Sequence, residues 1–456
     1  MTNQTFFFYD LETSGLSPRE DRIMQFAGQR TDLELNPIGE PVNILVKMQN
    51  DTLPSPGAIA VTGITPQKTV EDGLNEAEFC HYLQDEIFTE NTVALGFNSV
   101  RFDDEFMRHL FWRNFYDPYE WQWKDGRSRW DLLDVVRLTR ALRPEGINWP
   151  FREDGKPTNR LELITKLNGI EHEHAHDALA DVFATIAVAK LIKEKQPKLF
   201  EYLFKVRDKR LIKKMFNLEN PVPFVYASGR YSSEFNNTTV VFPFARARNG
   251  NILVFDLRYN LEELMKKESE EGKDKYYPIV KEMAYNKCPA VAPLSALEGE
   301  DGWQKIGLDK ETIEKNLEIL KNHPEFFKER EEVALKEKDW APAFDPESTL
   351  YDSFLPDGDK VRVSAVRDAD ANELADFHPN FIDERLPELL LHYKAKNFPI
   401  SLSEDETKKW EEYRLSRLKR QEPNFLKELE RIATDEKNSF IVEELKLWYE
   451  SLAPEF

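Results

Sequence analysis

Two carboxylates one residue apart, Asp10 and Glu12, close the aromatic run Phe6-Phe7-Phe8-Tyr9 and precede a turn at Ser14 to Asp21. Four consecutive aromatic residues read as a buried central strand, because a strand covered on both faces needs no polar alternation. Alternate side chains share a side of a strand, so Asp10 and Glu12 project together from its end. Two acids held side by side inside a domain repel each other unless positive charge sits between them, and hard divalent cations commonly supply it. Alone, an Asp-x-Glu pair is also what a solvated strand end looks like. It becomes a site only if further acids arrive from elsewhere in the chain.

Two further stretches supply them. Asn98-Ser99-Val100-Arg101-Phe102-Asp103-Asp104-Glu105-Phe106 follows a short buried strand, Thr92 to Phe97, and opens a helix. His176-Asp177-Ala178-Leu179-Ala180-Asp181-Val182 opens another, in which Leu179, Val182, Phe183 and Ile186 recur at helical spacing. Asp181 then lies one turn in, packed against the sheet, with His176 at or just before the first turn. Asp10, Glu12, Asp103 and Asp181 make four oxygen donors, a set suited to magnesium or manganese. Two such ions ~4 Å apart can clamp a phosphodiester, and a neutral histidine can take the proton of the attacking water. Asp10, Glu12 and Asp181 are the expected metal ligands, for two Mg2+ ions with Mn2+ as the alternative; Asp103 and His176 complete the expected catalytic set.

The elements that must position these groups follow from the pattern. After the first strand, Ile23 to Asp32 and Pro41 to Lys47 read as two more in an antiparallel opening, and Glu76 to Phe88 as a helix. Residues 1–195 thus form a mixed α/β domain. Beyond Gln196-Pro197 comes a basic run, Lys205 to Lys214, and then short β segments at Phe224 to Ser228, Thr238 to Phe244 and Asn251 to Asp256. This β-rich part is assigned to 196–345, with a linker near Trp340 to Pro346. Residues 346–456 read as helical, with few glycines and dense charge.

At 456 residues the chain suggests two or three domains. Its net charge of -21 excludes a protein that coats nucleic acid by overall charge, so any polyanion site is a local basic cleft. Cys80 and Cys288 fit no metal-ligand spacing and read as reduced thiols of a cytoplasmic protein. The start lacks a signal-peptide pattern, and no apolar run is long enough to span a bilayer, so no membrane association is expected.

The order Asp-x-Glu, then Asp, then His-x-x-x-x-Asp resembles the DEDD superfamily of 3′-to-5′ exonucleases in its histidine-containing branch. Val61-Thr62-Gly63-Ile64-Thr65 is similar to the loop that holds the terminal nucleotide in that superfamily. Asn114 to Tyr119, Ser128 to Val135, Leu142 to Pro150, Asn286 to Pro289 and Tyr393 to Pro399 extend the likeness, toward its bacterial exodeoxyribonuclease branch, over nearly the whole chain. The resemblance implies an α/β ribonuclease-H-like exonuclease domain, followed by an SH3-like β domain and a C-terminal helical domain, together forming a C-shaped clamp. It implies processive 3′-to-5′ degradation of single-stranded DNA to 5′-mononucleotides, a role in DNA repair and recombination, and a site for the acidic C-terminal tail of the bacterial single-stranded DNA-binding protein. A monomer is expected. One residue more than the superfamily pattern precedes Phe102-Asp103, leaving Asp103 or Asp104 as the third acid; Asp103, next to Phe102, is preferred.

For the strand itself, the stretch Arg108 to Trp123 interleaves aromatic and basic residues. Base stacking on aromatic faces tolerates any sequence. Spacing marks Phe111, Trp112 and Phe115 as a helix core stripe, whereas Tyr119 and Trp123, after Pro118, are stacking candidates. Arg137, Arg143 and Arg160 are candidate phosphate contacts, and the resemblance supports Arg108 and Arg160 as DNA contacts; in it Glu12 also touches substrate. Lys205 to Lys214 is either a wall of the DNA channel or a solvated helix face. Three other readings compete: a proofreading subunit or 3′ ribonuclease of the same fold, a non-catalytic single-strand binding module, and a hydrolase of small phosphoesters. The large additions beyond residue 195 disfavour the first, the full set of acids the second, and the long aromatic and basic track the third.

Overall fold

The computed structural model describes residues 4–172, 177–216, 218–266, 279–299, 301–335 and 345–452. Its first sheet has five strands, β1 (Thr5–Thr13), β2 (Ile23–Thr31), β3 (Val42–Leu45), β4 (Thr92–Gly96) and β5 (Ser128–Asp131), in the order β3-β2-β1-β4-β5. β1 pairs antiparallel with β2, and β2 with β3, giving the antiparallel opening expected; β4 and β5 then add in parallel. The aromatic run fills both faces of the central strand. Phe6 and Phe8 pack with Val93, Leu95 and Trp130 on one side, Phe7 and Tyr9 with Phe26, Phe79 and Trp121 on the other. Both layers are dry, so the strand needs no polar face until its end.

Helices supply the cover. Those that bear on the site are α1 (Asp103–Arg113), α2 (Leu132–Leu142), α3 (Leu161–Leu167) and α4 (Ala178–Lys195). Phe111, Trp112 and Phe115 are buried, as the spacing predicts. In α4 the expected apolar stripe is corrected at one position: Val182 and Ile186 are buried, but Phe183 is 42% exposed. It sits one residue, about 100° of helix, past Val182 and so leaves the buried face, which Thr185, Val188 and Ala189 continue. The helix expected at Glu76 to Phe88 is α-helical over Glu76–Tyr82 and widens into a π turn over Leu83–Ile87.

A second sheet, β6 (Phe224–Ala227), β7 (Thr238–Arg246), β8 (Ile252–Asp256), β9 (Val280–Met283) and β10 (Ala290–Pro293), is antiparallel throughout in the order β10-β6-β7-β8-β9. It shares an apolar cluster with the first unit, Trp130 and Val136 joining Val225, Tyr226 and Val291, and polar contacts line the junction as well. Arg129 donates to the carbonyl of Asn286 (2.8 Å), the Cys288 thiol to the carbonyl of Arg129 (3.2 Å), and Asn159 to Asn237 (3.1 Å). The basic run Lys205 to Lys214 spans the end of one helix and most of another, with Arg207 stacked over Phe204 at 3.6 Å and Arg210 solvated beside Asp208.

The last part is helical, with α5 (Leu386–Asn397), α6 (Glu404–Ile432) and α7 (Ser439–Leu452) as its main members. Its apolar faces share a cluster with Met24, Met48 and Ile59 of the first unit. At the centre of that junction lies a buried ionic network. Glu347 accepts from Arg22 (2.6 Å), Lys396 and His392; Asp51 pairs with Lys396 (2.9 Å) and Arg417 (3.4 Å); Asp345 accepts from Arg417 and Tyr413. Paired cations hold the carboxyls of Asp51 and Glu347 below the usual range although burial opposes this.

Candidate active site

The end of β1 is where the acids meet. Asp10 and Glu12 leave the strand on the side that carries Phe6 and Phe8, the side α4 covers, and Asp181 in the first turn of α4 comes to meet them. One carboxylate oxygen from each of Asp10, Glu12 and Asp181 lies within 4.8 Å of the other two. Pairing of β1 with β4 stops at Phe8 and Leu95, which leaves the Leu11 N–H without a strand partner. Asp103, first residue of α1, accepts that N–H at 3.2 Å and so stands at the same strand end. Gly96 permits this crowding, since a Cβ there would lie 2.6 Å from the Tyr9 carbonyl.

The neighbouring acid goes elsewhere. Asp104 accepts from the Tyr9 hydroxyl and from Arg129, on the face of β1 opposite to Asp10. Asp103 is the one whose charge bears on Asp10. Glu105 completes the run by accepting from Arg108 (2.7 Å), from Lys287 of the second unit (3.1 Å) and from Tyr351 of the third.

The electrostatics are those of anions lacking a counterion. Burial first, and then the charges of Asp103 and Asp181, push the Asp10 carboxyl well above its ordinary value. Burial and the charge of Asp10 push Glu12 up to about 9. Among the described residues neither Asp10 nor Glu12 has an ion-pair partner. An all-oxygen donor set whose members resist ionisation alone fits hard divalent cations. A second group with ligand-like spacing, Asp345, Glu347 and His392, does not fit a metal. Arg22, Lys396 and Arg417 already neutralise it.

One functional neighbour escaped the sequence reading. His172 Nε2 lies 2.6 Å from Asp181 Oδ1, and its Nδ1 is 3.2 Å from Thr165 Oγ1. The sequence reading passed over this histidine, which belongs to no helical stripe; only its spacing, nine residues before Asp181, hinted at it. His176 lies outside the described residues.

The expected DNA contacts separate into groups. Arg137 and Arg160 line a cleft of about 470 Å³ that Asp10 and Asp181 also line. Arg137 is paired with Asp134 (2.6 Å). Arg108 is buried, held by Glu105 and Gln122 (2.9 Å), with its guanidinium 5.7 Å from the Tyr119 ring. Trp123 is 60% exposed in the loop after Pro118. Arg143 stands apart from the cleft and donates to the carbonyls of Leu142 (2.6 Å) and Ala296 (3.2 Å).

Family models match three consecutive stretches: an exonuclease domain over residues 7–189, an exonuclease I SH3-like domain over 207–334 and an exonuclease I C-terminal domain over 344–452. Exodeoxyribonuclease I of Haemophilus influenzae is 42% identical over 443 residues, 94% of this chain and 93% of that one. The chain belongs to the exodeoxyribonuclease I family. It is therefore a nuclease, and the three-part fold expected from the resemblance is the one observed. The crystal structure of Escherichia coli exonuclease I in complex with a dA16 oligonucleotide superposes with a TM-score of 0.93 at 37% identity, covering 99% of this chain and 100% of that one. A zinc-bound form of the Escherichia coli exonuclease I complex with single-stranded DNA gives 0.92 at 38% identity, covering 98% and 99%. Zinc is bound in that Escherichia coli complex, and the acid cluster here has the donor chemistry for a divalent cation.

Proposed function

We propose that this chain is a processive exonuclease that degrades single-stranded DNA from its 3′ end to 5′-mononucleotides. The observation that carries the reading is the convergence of Asp10, Glu12 and Asp181, oxygens within 4.8 Å, at one wall of a cleft whose other lining includes arginines. Asp10, Glu12 and Asp181 would hold the metal, with Asp103 beside them. Bound there, a pair of Mg2+ ions, or Mn2+, would activate the attacking water and stabilise charge on the leaving oxygen. Asp103, fixed by the Leu11 N–H, adds negative charge at the strand end and keeps β1 from fraying there. His172 holds Asp181 in one rotamer. His176, five residues before Asp181, takes the proton of the attacking water, since an unperturbed imidazole is half neutral near pH 6.5. Arg137 and Arg160 face phosphates along the cleft, while Tyr119 and Trp123 offer faces for bases.

The wider setting belongs to the same reading: a monomeric, cytoplasmic enzyme of DNA repair and recombination that engages the C-terminal tail of single-stranded DNA-binding protein. Among the described residues no helix is long and apolar enough to cross a membrane. The deciding experiment digests 5′-labelled single-stranded DNA with magnesium or chelator, beside the duplex, a 3′-blocked strand and a matched RNA. Magnesium-dependent shortening of the free DNA strand alone supports the reading. Binding without cleavage would reassign the chain as a binding module, and preference for RNA would reassign its substrate.

A further inference from the structure

The loop between Pro150 and Arg160 carries an arginine that the sequence reading passed over. Its base is held by Arg140, which donates to the carbonyls of Pro150 (2.9 Å) and Thr158 (2.6 Å) and lies over the Phe151 ring at 4.9 Å. The loop closes on itself through the Arg152 N–H to the Lys156 carbonyl (2.8 Å), the Gly155 N–H to the Arg152 carbonyl (2.9 Å) and a bridge between Phe151 and Pro157. The backbone of Arg152 is thus fixed from both sides. It lines the same cleft as Asp10 and Asp181, and among the described residues its guanidinium donates to Ser233 Oγ of the second unit, at 3.1 Å. Of the other two arginines that line the cleft, Arg137 is paired with Asp134 and Arg160 is the phosphate contact already proposed; nearby, Lys156 pairs with Glu234 across the seam (3.0 Å). Among the described residues Arg152 has no carboxylate partner.

An exposed guanidinium with spare donors, held on a fixed backbone beside an anion-processing cleft, suits an oxyanion. We propose that Arg152 is a phosphate-binding residue for the DNA strand, its guanidinium aimed by Ser233 across the seam between the nuclease and β units. This rests on the single-strand nuclease reading above. The contact carries no base information, so it serves affinity and strand positioning and not the chemical step.

The test uses the full chain and magnesium-supported digestion of an oligothymidylate over a range of salt concentrations. Arg152→Ala should leave kcat unchanged, raise KM about tenfold at low salt and lower the log–log salt slope of kcat/KM by about 0.7, the share of one phosphate on a single strand. Arg152→Lys should restore the slope, and Ser233→Ala should keep it. An unchanged slope in Arg152→Ala overturns the proposal. Equal losses of thermal stability in Arg152→Ala and Ser233→Ala with the salt slope intact in both also overturn it, since Arg152 would then merely tie the two units together. If the wild-type chain degrades no DNA, the parent reading fails instead, and the two failures are distinct.

Discussion

His172 Nε2 and Asp181 Oδ1 are 2.6 Å apart, and Thr165 holds the other ring nitrogen of that histidine. The chain Thr165, His172, Asp181 therefore orients one of the three clustered carboxylates from behind. Replacing such a support behind a metal ligand commonly costs 10–100-fold in metal affinity or activity. His172→Ala should raise the magnesium concentration needed for half-maximal cleavage by about that factor, with DNA affinity in chelator unchanged. A magnesium titration followed by fluorescence-polarisation binding reads both.

Asp181 itself is the more severe site. Asp181→Ala should abolish cleavage, with a fall in kcat of at least about 10³-fold, as for loss of a principal electrostatic element. Binding of single-stranded DNA should stay nearly intact. A parallel loss of binding would make Asp181 a structural residue.

Trp123 is more than half exposed beyond Pro118. If bases stack on it, Trp123→Ala weakens binding by about 1–3 kcal/mol for every sequence alike. Comparing oligo-dA, oligo-dT and mixed strands tests this, and a loss confined to one base would point to hydrogen-bonded readout.

Glu105 gathers Arg108, Lys287 and Tyr351, one donor from each of the three units. Lysine and arginine beside it hold its carboxyl down at about 2. Glu105→Ala should cost roughly 1.5–3 kcal/mol, the worth of a charged hydrogen-bond partner. Faster hydrogen exchange in the Asn286 to Cys288 segment and around Tyr351 together, and not in either alone, is the expected signature.

His109 is buried against Glu347, its Nδ1 3.4 Å from that carbonyl, and burial together with the nearby Arg113 lowers its pKa to about 4. As pH falls below 6.5, the unfolded chain takes up a proton that the folded site refuses. Stability that is complete above pH 6.5 is therefore lost progressively down to about pH 4, on the order of 3 kcal/mol in all. Urea midpoints measured over that range should slope for the wild type and flatten for His109→Gln.

Much of this was readable from the residues. Strand alternation placed Asp10 and Glu12 together, and helical register placed Asp181 toward the sheet, because both depend only on local periodicity. The choice between Asp103 and Asp104 did not. Adjacent residues at a helix start point different ways, and only the Leu11 N–H on one side and Tyr9 with Arg129 on the other separate them. Arg108, which the resemblance supports as a DNA contact, is held under Glu105 and Gln122, a setting its own neighbours in sequence did not announce. Partners 14 to 95 residues away leave no local trace. The same holds for Arg152, whose partner Ser233 is 81 residues on, and for the buried charges at the third unit's junction.

That junction bears on how the chain can be divided. Arg22 and Asp51 belong to the nuclease unit, yet the groups that neutralise them, Glu347, Lys396 and Arg417, come from beyond residue 344. A chain shortened to its first 195 residues would keep every acid of the cluster but leave Arg22 and Asp51 only each other, at 3.9 Å, in an opened apolar face. The C-terminal helices thus act as part of the nuclease unit's own interior, so cutting the chain between them exposes core as well as surface.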